Sequence, residues 1–240
     1  MTARCTVDGF LGGRITAAQP KSGFRAGHDT VLLAAAVPAG WKVLELGSGA
    51  GIASLCYACR VPDAEVLGIE IDPELVAIAT DNAARNGMSD RVRFLVSDAR
   101  ALGDSSSKFD QIFFNPPFHS AEGTASANPA LELAKRDLDS TIAAWTKSAL
   151  GVVRRDGSVT AILRADRVQD MIAAAANHAV AVLPLIPRFG IAPRRVIVSI
   201  NAGEAGRAKT CSGLVLHRND GGATPEAEAI LRGASSLPIA

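Results

Sequence analysis

From Lys42 to Arg164 the chain repeats one pattern, a short apolar or β-branched run followed by an amphipathic segment of helical period. "KVLELG" (42–47), "AEVLGIE" (64–70), "RVRFLVSD" (91–98), "FDQIFF" (109–114) and "GSVTAILR" (157–164) read as strands. "AGIASLCYACR" (50–60), "PELVAIATDNAARNG" (73–87), "DLDSTIAAWTKSALGVV" (137–153) and "RVQDMIAAAANHA" (167–179) read as helices. A helix between two strands carries the chain back to its starting edge. The pattern therefore predicts an α/β fold, a parallel sheet covered by helices on both faces. Pro73 opens one helix and Gly87 closes it, while Ile142, Trp145 and Leu150 fall near one face of another. The tail departs from the pattern. "RRVIVSI" (194–200) and "GLVLH" (213–217) are joined by a polar segment without a helix, which predicts an antiparallel pair closing the sheet. "TPEAEAILRG" (224–233) reads as a terminal helix with Thr224 as N-cap and Pro225 in its first turn.

A chain of 240 residues, 48% hydrophobic, buries enough surface to fold without a disulfide or metal staple. No apolar run is long enough for a membrane span, and "MTARCTVDGFLGG" lacks the apolar core of a signal peptide, so the expectation is a cytoplasmic protein. Cys56 and Cys59 form a C-x-x-C, but no second pair and no nearby histidine pair accompanies them. Two small residues one helical turn apart is the better reading. His28, His178 and His217 show no metal-ligand spacing. The net charge is +1, yet it is unevenly placed. Residues 1–25 carry +3, from Arg4, Arg14, Lys21 and Arg25 against Asp8. Residues 188–218 carry +5, from Arg188, Arg194, Arg195, Arg207, Lys209 and Arg218 against Glu204. Meeting in space, these segments would form a phosphate-binding surface.

The first strand ends in "LELGSGAG" (44–51). Gly47, Gly49 and Gly51 let the backbone turn sharply and approach a ligand closely. Ligands of open α/β sheets bind at the carboxyl ends of the strands. Glu70 ends the second strand and can accept bonds from two ribose hydroxyls. The dinucleotide spacing G-x-G-x-x-G is not met, because Ile52 stands at the third glycine position. Glu45 fits poorly beside a pyrophosphate, and an acid there could help hold a cationic amino-acid end. A nucleoside joined to an amino acid fits the loop better than NAD.

The fourth strand runs into "FFNPPFHS" (113–120), which puts Asn115 at the same edge. An amino group on a base or an amide is a poor nucleophile, since its lone pair is delocalised. Acceptors that hold its N–H groups can turn that pair toward an electrophile. The Asn115 side-chain carbonyl and the Pro116 carbonyl supply two such acceptors, proline fixing φ and removing a competing donor. Phe118 can stack on a flat target. His119 could act as a base, but a substrate-contact or structural role is favoured. Alone, Asn-Pro is also a common turn initiator. After a nucleotide loop it points to positioning chemistry that needs no metal. The long irregular segment expected at 119–135 follows directly.

The E-x-G-x-G-x-G loop, Glu70 and Asp98 in "SDA" together resemble the class I S-adenosylmethionine-dependent methyltransferases. That resemblance implies a Rossmann-like, seven-stranded, mostly parallel sheet with an antiparallel C-terminal strand pair, and Asp98 against the adenine amino group. "NPPF" resembles the amino-methyltransferases that act on adenine N6, guanine N2, cytosine N4 and protein glutamine, with Asn115, Pro116, Pro117 and Phe118 as the catalytic motif. "FLGGRITAAQPKSGFRAGHDTVLLAAAVP" (10–38), with Gly27, Asp29, Val31, Leu32 and Leu33, resembles the "small domain" group, and within it the bacterial tRNA adenine-37 N6-methyltransferases. "NPPFH" resembles ribosomal guanine-N2 methyltransferases as well. The resemblance implies S-adenosyl-L-methionine as cofactor, held by Arg25, Asp29, Glu45, the three loop glycines, Glu70, Ile71, Asp98, Ala99 and Asn115. It implies an RNA substrate, most simply tRNA, met by Lys21, His119, Arg188, Arg194 and Arg195. Residues 1–40 are expected to cap the site and 41–240 to form the methyltransferase domain.

Overall fold

A computed structural model describes residues 5–102, 108–117 and 129–239. The chain opens with an antiparallel hairpin, β1 (Cys5–Phe10) and β2 (Ile15–Pro20), followed by α1 (His28–Ala36). The alternating region then gives β3 (Lys42–Leu46), α2 (Ile52–Arg60), β4 (Glu65–Glu70), α3 (Pro73–Arg85), β5 (Val92–Val96), β6 (Phe109–Phe114), α4 (Pro129–Val152) and β7 (Val153–Arg164). The tail contributes α5 (Val168–Ala174), β8 (His178–Arg188), β9 (Arg195–Ala205), the short β10 (Ala208–Thr210) and β11 (Leu214–His217), and α6 (Pro225–Leu231).

Seven long strands lie in the order β5-β4-β3-β6-β7-β9-β8, with β9 antiparallel to both neighbours and the first five parallel. This is the Rossmann-like seven-stranded sheet expected from the sequence, and β10 and β11 extend it along the outer side of β8. Side chains alternate between two cores. Val43, Val66, Phe113 and Ile197 face α1, α2, α3 and α6, whereas Leu44, Leu46, Ile112, Phe114 and Val198 face α4 and α5. That period of two, with both faces apolar, is what a doubly covered parallel sheet requires.

Three expectations are corrected. Segments 194–200 and 213–217 do not pair with each other. β9 inserts between β7 and β8, and β11 runs parallel to β8. The helix expected over 167–179 stops at Ala174, because Ala176 has a left-handed φ of 55° and turns the chain into β8. Within the segment expected to be irregular from 119 to 135, helix α4 already begins at Pro129; residues 119–128 lie outside the described residues. β8 itself carries Pro184 and Pro187, which disguise it. Pro184 is tolerated because β10 pairs with residues 180–182 and β11 with 185–188, so the proline falls between the two patches of outer pairing.

The N-terminal hairpin is fastened by side-chain amides. Asn82 accepts from Ala18 N at 2.7 Å and donates to Ala18 O at 2.9 Å; Asn86 accepts from Thr16 N at 3.0 Å and donates to Thr16 O at 2.9 Å. Four residues of helix rise about 6 Å and two residues of strand about 7 Å. Asn82 on α3 and Asn86 at its C-cap, one turn apart, can therefore satisfy the outer edge of β2 as a third strand would. Asn82, fully buried, also donates to Ala50 O at 2.9 Å in the glycine loop. Replacing Asn82 by Ala would leave three backbone groups without this partner and is expected to destabilise the protein by about 2–4 kcal/mol. Asn86→Ala, at the exposed end, should cost under about 1 kcal/mol. Urea denaturation with an unchanged slope would read the difference; equal effects would contradict the assignment.

Candidate active site

The parallel register aligns the ends of three strands. Leu46 is level with Ile69 of β4 on one side and with Phe114 of β6 on the other. The next residues, Gly47, Glu70 and Asn115, therefore emerge side by side at the carboxyl edge. They border one cavity of about 940 Å3, a volume suited to a nucleoside-sized ligand together with a second planar group.

The glycine loop is shaped by what crowds it. Gly47 has φ 65°, and a Cβ there would lie 2.5 Å from the Trp145 ring of α4. Trp145 in turn packs edge-on against Phe114 with centroids 5.7 Å apart. Gly51 has φ 81°, and a Cβ there would lie 2.5 Å from Phe94 and 3.0 Å from Ala79. Only glycine satisfies both the backbone angle and the space. The loop is tied down by Ser48 N donating to Ile69 O and by Gly49 N donating to Glu70 Oε2, each at 2.9 Å. The other oxygen of Glu70 accepts from Ile71 N at 2.8 Å and Asp72 N at 3.1 Å, so one carboxylate clamps the ends of β3 and β4.

Glu45 lies inside the sheet, 3% exposed. It accepts from both the backbone N–H and the hydroxyl of Ser54 in the first turn of α2, an acid at a helix N-terminus. Burial outweighs those bonds and pushes its carboxyl up to about 8. Asp98 is more open. Its carboxylate pairs with Arg100 at 2.8 Å, and the Arg100 side-chain bonds hold its pKa below the usual range.

Of the residues singled out in the sequence, Lys21, Glu45, Gly47, Gly49, Glu70 and Ile71 line the cavity, as do Asp98, Ala99, Asn115, Pro116 and Pro117. Gly51 stands behind the loop it shapes. Arg25 and Asp29 stand outside it. Arg25 pairs with Asp8 at 2.6 Å and donates to Pro20 O, and Asp29 accepts from Arg195 Nε at 3.0 Å. Arg195 therefore braces α1 against β9, while Arg188 and Arg194 stand exposed at the tip between β8 and β9. Phe118 and His119 lie outside the described residues. Cys56 and Cys59 are free thiols, and burial pushes the Cys56 thiol up. Among the described residues no cluster of His, Cys, Asp and Glu could hold a metal, and no helix is long and apolar enough to cross a membrane.

Other residues lining the cavity have no site role legible in the sequence, Thr30, Ser48, Phe24 and Trp145 among them. Thr30 and Ser48 carry no pattern of their own. Trp145 shares the predicted apolar face of its helix and was legible only as core. The buried Thr30 Oγ1 and Ser48 Oγ, and both amide atoms of Asn115, have no hydrogen-bond partner among the described residues. Buried polar groups are otherwise almost always paired. Unpaired acceptors and donors, a glycine cradle and a strand-end acid suit a ligand with a ribose and a polar amino-acid end, the make-up of S-adenosyl-L-methionine.

The family model of the methyltransferase small domain matches residues 25–145. The chain is 28% identical over 196 residues to the tRNA1(Val) (adenine(37)-N6)-methyltransferase of Bacteroides thetaiotaomicron, spanning 79% of this chain and 81% of that one. It is 29% identical over 167 residues to the protein of the same name from Yersinia enterocolitica, spanning 68% and 66%. Among solved structures, a predicted O-methyltransferase from Agrobacterium tumefaciens superposes with a TM-score of 0.74 at 22% identity, covering 88% of this chain and 98% of that one. The last likeness supports the fold.

The buried carboxyl of Glu45 gives a pH signature. Its pKa in the native state, about 8, stands above the ordinary 4.5, so folding favours the protonated form. That stabilisation is complete below pH 4.5 and is lost as pH rises toward about 8, at up to about 1.4 kcal/mol per pH unit. The difference in unfolding free energy between the wild type and Glu45→Gln should therefore decline across this window and level off above it. A difference that stays flat with pH in urea titrations would contradict the assignment.

Proposed function

The chain belongs to the methyltransferase small domain family and is an S-adenosyl-L-methionine-dependent methyltransferase; from that premise we propose that it methylates the exocyclic N6 of an adenine in tRNA. The observation that carries the choice of an amino acceptor is Asn115. Its amide is buried beside the glycine loop with no partner among the described residues, and Pro116 and Pro117 follow at the cavity wall. Support for tRNA and adenine comes from the names of the Bacteroides and Yersinia relatives.

When bound, the cofactor would supply an electrophilic methyl on a sulfonium, whose leaving group is a neutral thioether that needs no acid. The protein's part is positioning. Asn115 Oδ1 accepts one N–H of the target amino group and the Pro116 carbonyl accepts the other, which turns the nitrogen lone pair toward the methyl. Phe118 is assigned to stack on the base. Glu70 is assigned to the ribose hydroxyls, Asp98 to the adenine amino group of the cofactor, and Glu45 with the loop glycines to its amino-acid end. Thr30 and Ser48 join this set through hydroxyls that have no partner among the described residues. Transfer leaves a cationic amine, which can lose its proton to water, so no metal and no dedicated base is invoked.

The acceptor must be unstacked to reach Asn115, and unpaired RNA loops offer bases at least cost. Lys21 at the rim, with Arg188 and Arg194 on the tip between β8 and β9, is assigned to the phosphates. Residues 1–40 are proposed as a cap on the domain formed by 41–240, supported by Gln19, Lys21 and Phe24 along the cavity wall. A tRNA substrate supports assigning the protein to the cytoplasm.

With total tRNA as acceptor, Asn115→Ala is expected to lower kcat by on the order of 10²–10³-fold, with S-adenosylhomocysteine affinity by calorimetry within about threefold of wild type. A variant that loses cofactor affinity while retaining kcat would contradict the role given to Asn115.

A further inference from the structure

The turn joining β8 to β9 stands well beyond the sheet's carboxyl edge. Phe114 of β6 is level with Ala161 of β7, and Ala161 with Val198 of β9, whereas Arg195 at the start of β9 is level with Arg164. Those three further residues of strand raise the base of the turn about 10 Å above the level of Phe114, and two strand spacings set it about 10 Å to the side. The tip rises from a fixed stem on the same carboxyl edge of the sheet as Asn115. The ladder of β8 and β9 runs out to Leu185 and Arg195, Ala165 N donates to Arg194 O at 3.0 Å, and Arg195 is pinned to Asp29.

What the stem presents is an aromatic ring between cations. Phe189 is 86% exposed and Ile191 52% exposed, in a turn closed by Ile191 N donating to Arg188 O at 3.0 Å, with Gly190 at φ 78°. Arg188 and Arg194 flank the turn. Both are exposed, and neither has an ion-pair partner among the described residues. An aromatic anchor for a protein partner is usually ringed by other contacts that exclude water. A ring flanked by free guanidiniums instead matches the make-up of a nucleotide, a flat apolar base on an anionic backbone.

We propose that Phe189 is a stacking platform for an unpaired nucleotide a few positions from the target base, with Arg188 and Arg194 on that nucleotide's phosphates. The inference rests on the RNA reading above and deepens it: the enzyme recognises a single-stranded stretch, gripping it at Phe189 and at the Asn115 cavity. Both segments of concentrated positive charge take part. The loop bearing Lys21 leads into α1, the Arg188–Arg194 tip leads into β9, and the Asp29–Arg195 pair joins the two.

The test uses the full chain saturated with S-adenosylhomocysteine and an unmodified tRNA1(Val) transcript, with Kd read across a salt series. Phe189→Ala should weaken binding about tenfold, Phe189→Trp should restore it to within about twofold, and Phe189→Leu should not. The double variant R188A/R194A should reduce the slope of log Kd against log salt by about 1.4, whereas Phe189→Ala should leave that slope unchanged. Thermal melting and S-adenosylhomocysteine affinity equal to wild type confirm that each variant is folded. Wild-type binding of the transcript with no loss in Phe189→Ala, or full binding by Phe189→Leu, would overturn the stacking role alone. A wild type that ignores the transcript yet labels a protein in an RNase-treated extract would overturn this inference and the RNA reading together.

Discussion

The site depends on one register. Leu46 lies level with Ile69 and with Phe114 across three neighbouring parallel strands, and the residue that follows each is therefore delivered to the same line. A slip of one residue in any of the three would turn its side chains to the opposite face, exchanging Val43 and Glu45 for Leu44 and Leu46 between two cores that differ in their helices. Burial on both faces is thus what fixes Gly47, Glu70 and Asn115 side by side. The chemistry at the edge inherits its precision from the apolar packing beneath it.

A second tier of polar contacts converts that edge into an enclosed site. Glu70 clamps the glycine loop to the turn after β4, Glu45 anchors the first turn of α2, and Asn82 joins the loop to the N-terminal hairpin. Each of these side chains touches backbone. They hold the loop in the conformation that its positive-φ glycines make available, and the rings of Trp145 and Phe94 close the space that a side chain would need. The ion pair of Asp29 with Arg195 links the element following the hairpin to the last long strand. In this way the segment that follows the hairpin is tied to a basic strand far away in sequence.

Much of this was legible in the sequence. Alternating β-branched runs and helical segments announce the covered parallel sheet, and the glycine loop, Glu70 and "NPP" occur at its carboxyl edge as their order implies. What escaped has identifiable causes. β8 is masked by Pro184 and Pro187, and its interruption is admissible only because two short strands pair on either side of the first proline. The sequence pattern pairs β9 with the strand that follows the polar segment, whereas it inserts between β7 and β8, a non-local choice that no local pattern encodes. Nothing in the helical pattern marks Asn82 and Asn86, since their partner is the edge of a strand more than sixty residues away. Thr30 and Ser48 become visible only when burial and hydrogen bonding are known together. Arg25 and Asp29 stand out in the motif, yet their charges face Asp8 and Arg195.

The central claim is that the amide of Asn115 and the carbonyl of Pro116 position a planar amino group of an RNA base beside the methyl donor. Incubation with methyl-tritiated S-adenosyl-L-methionine, total RNA and a separate protein extract, followed by nucleoside and amino-acid analysis of the labelled fractions, tests it most directly. The expected product is N6-methyladenosine in the tRNA fraction, removed by RNase. Label recovered as N2-methylguanosine would contradict the choice of base, and label recovered as methylglutamine in protein would contradict the RNA substrate.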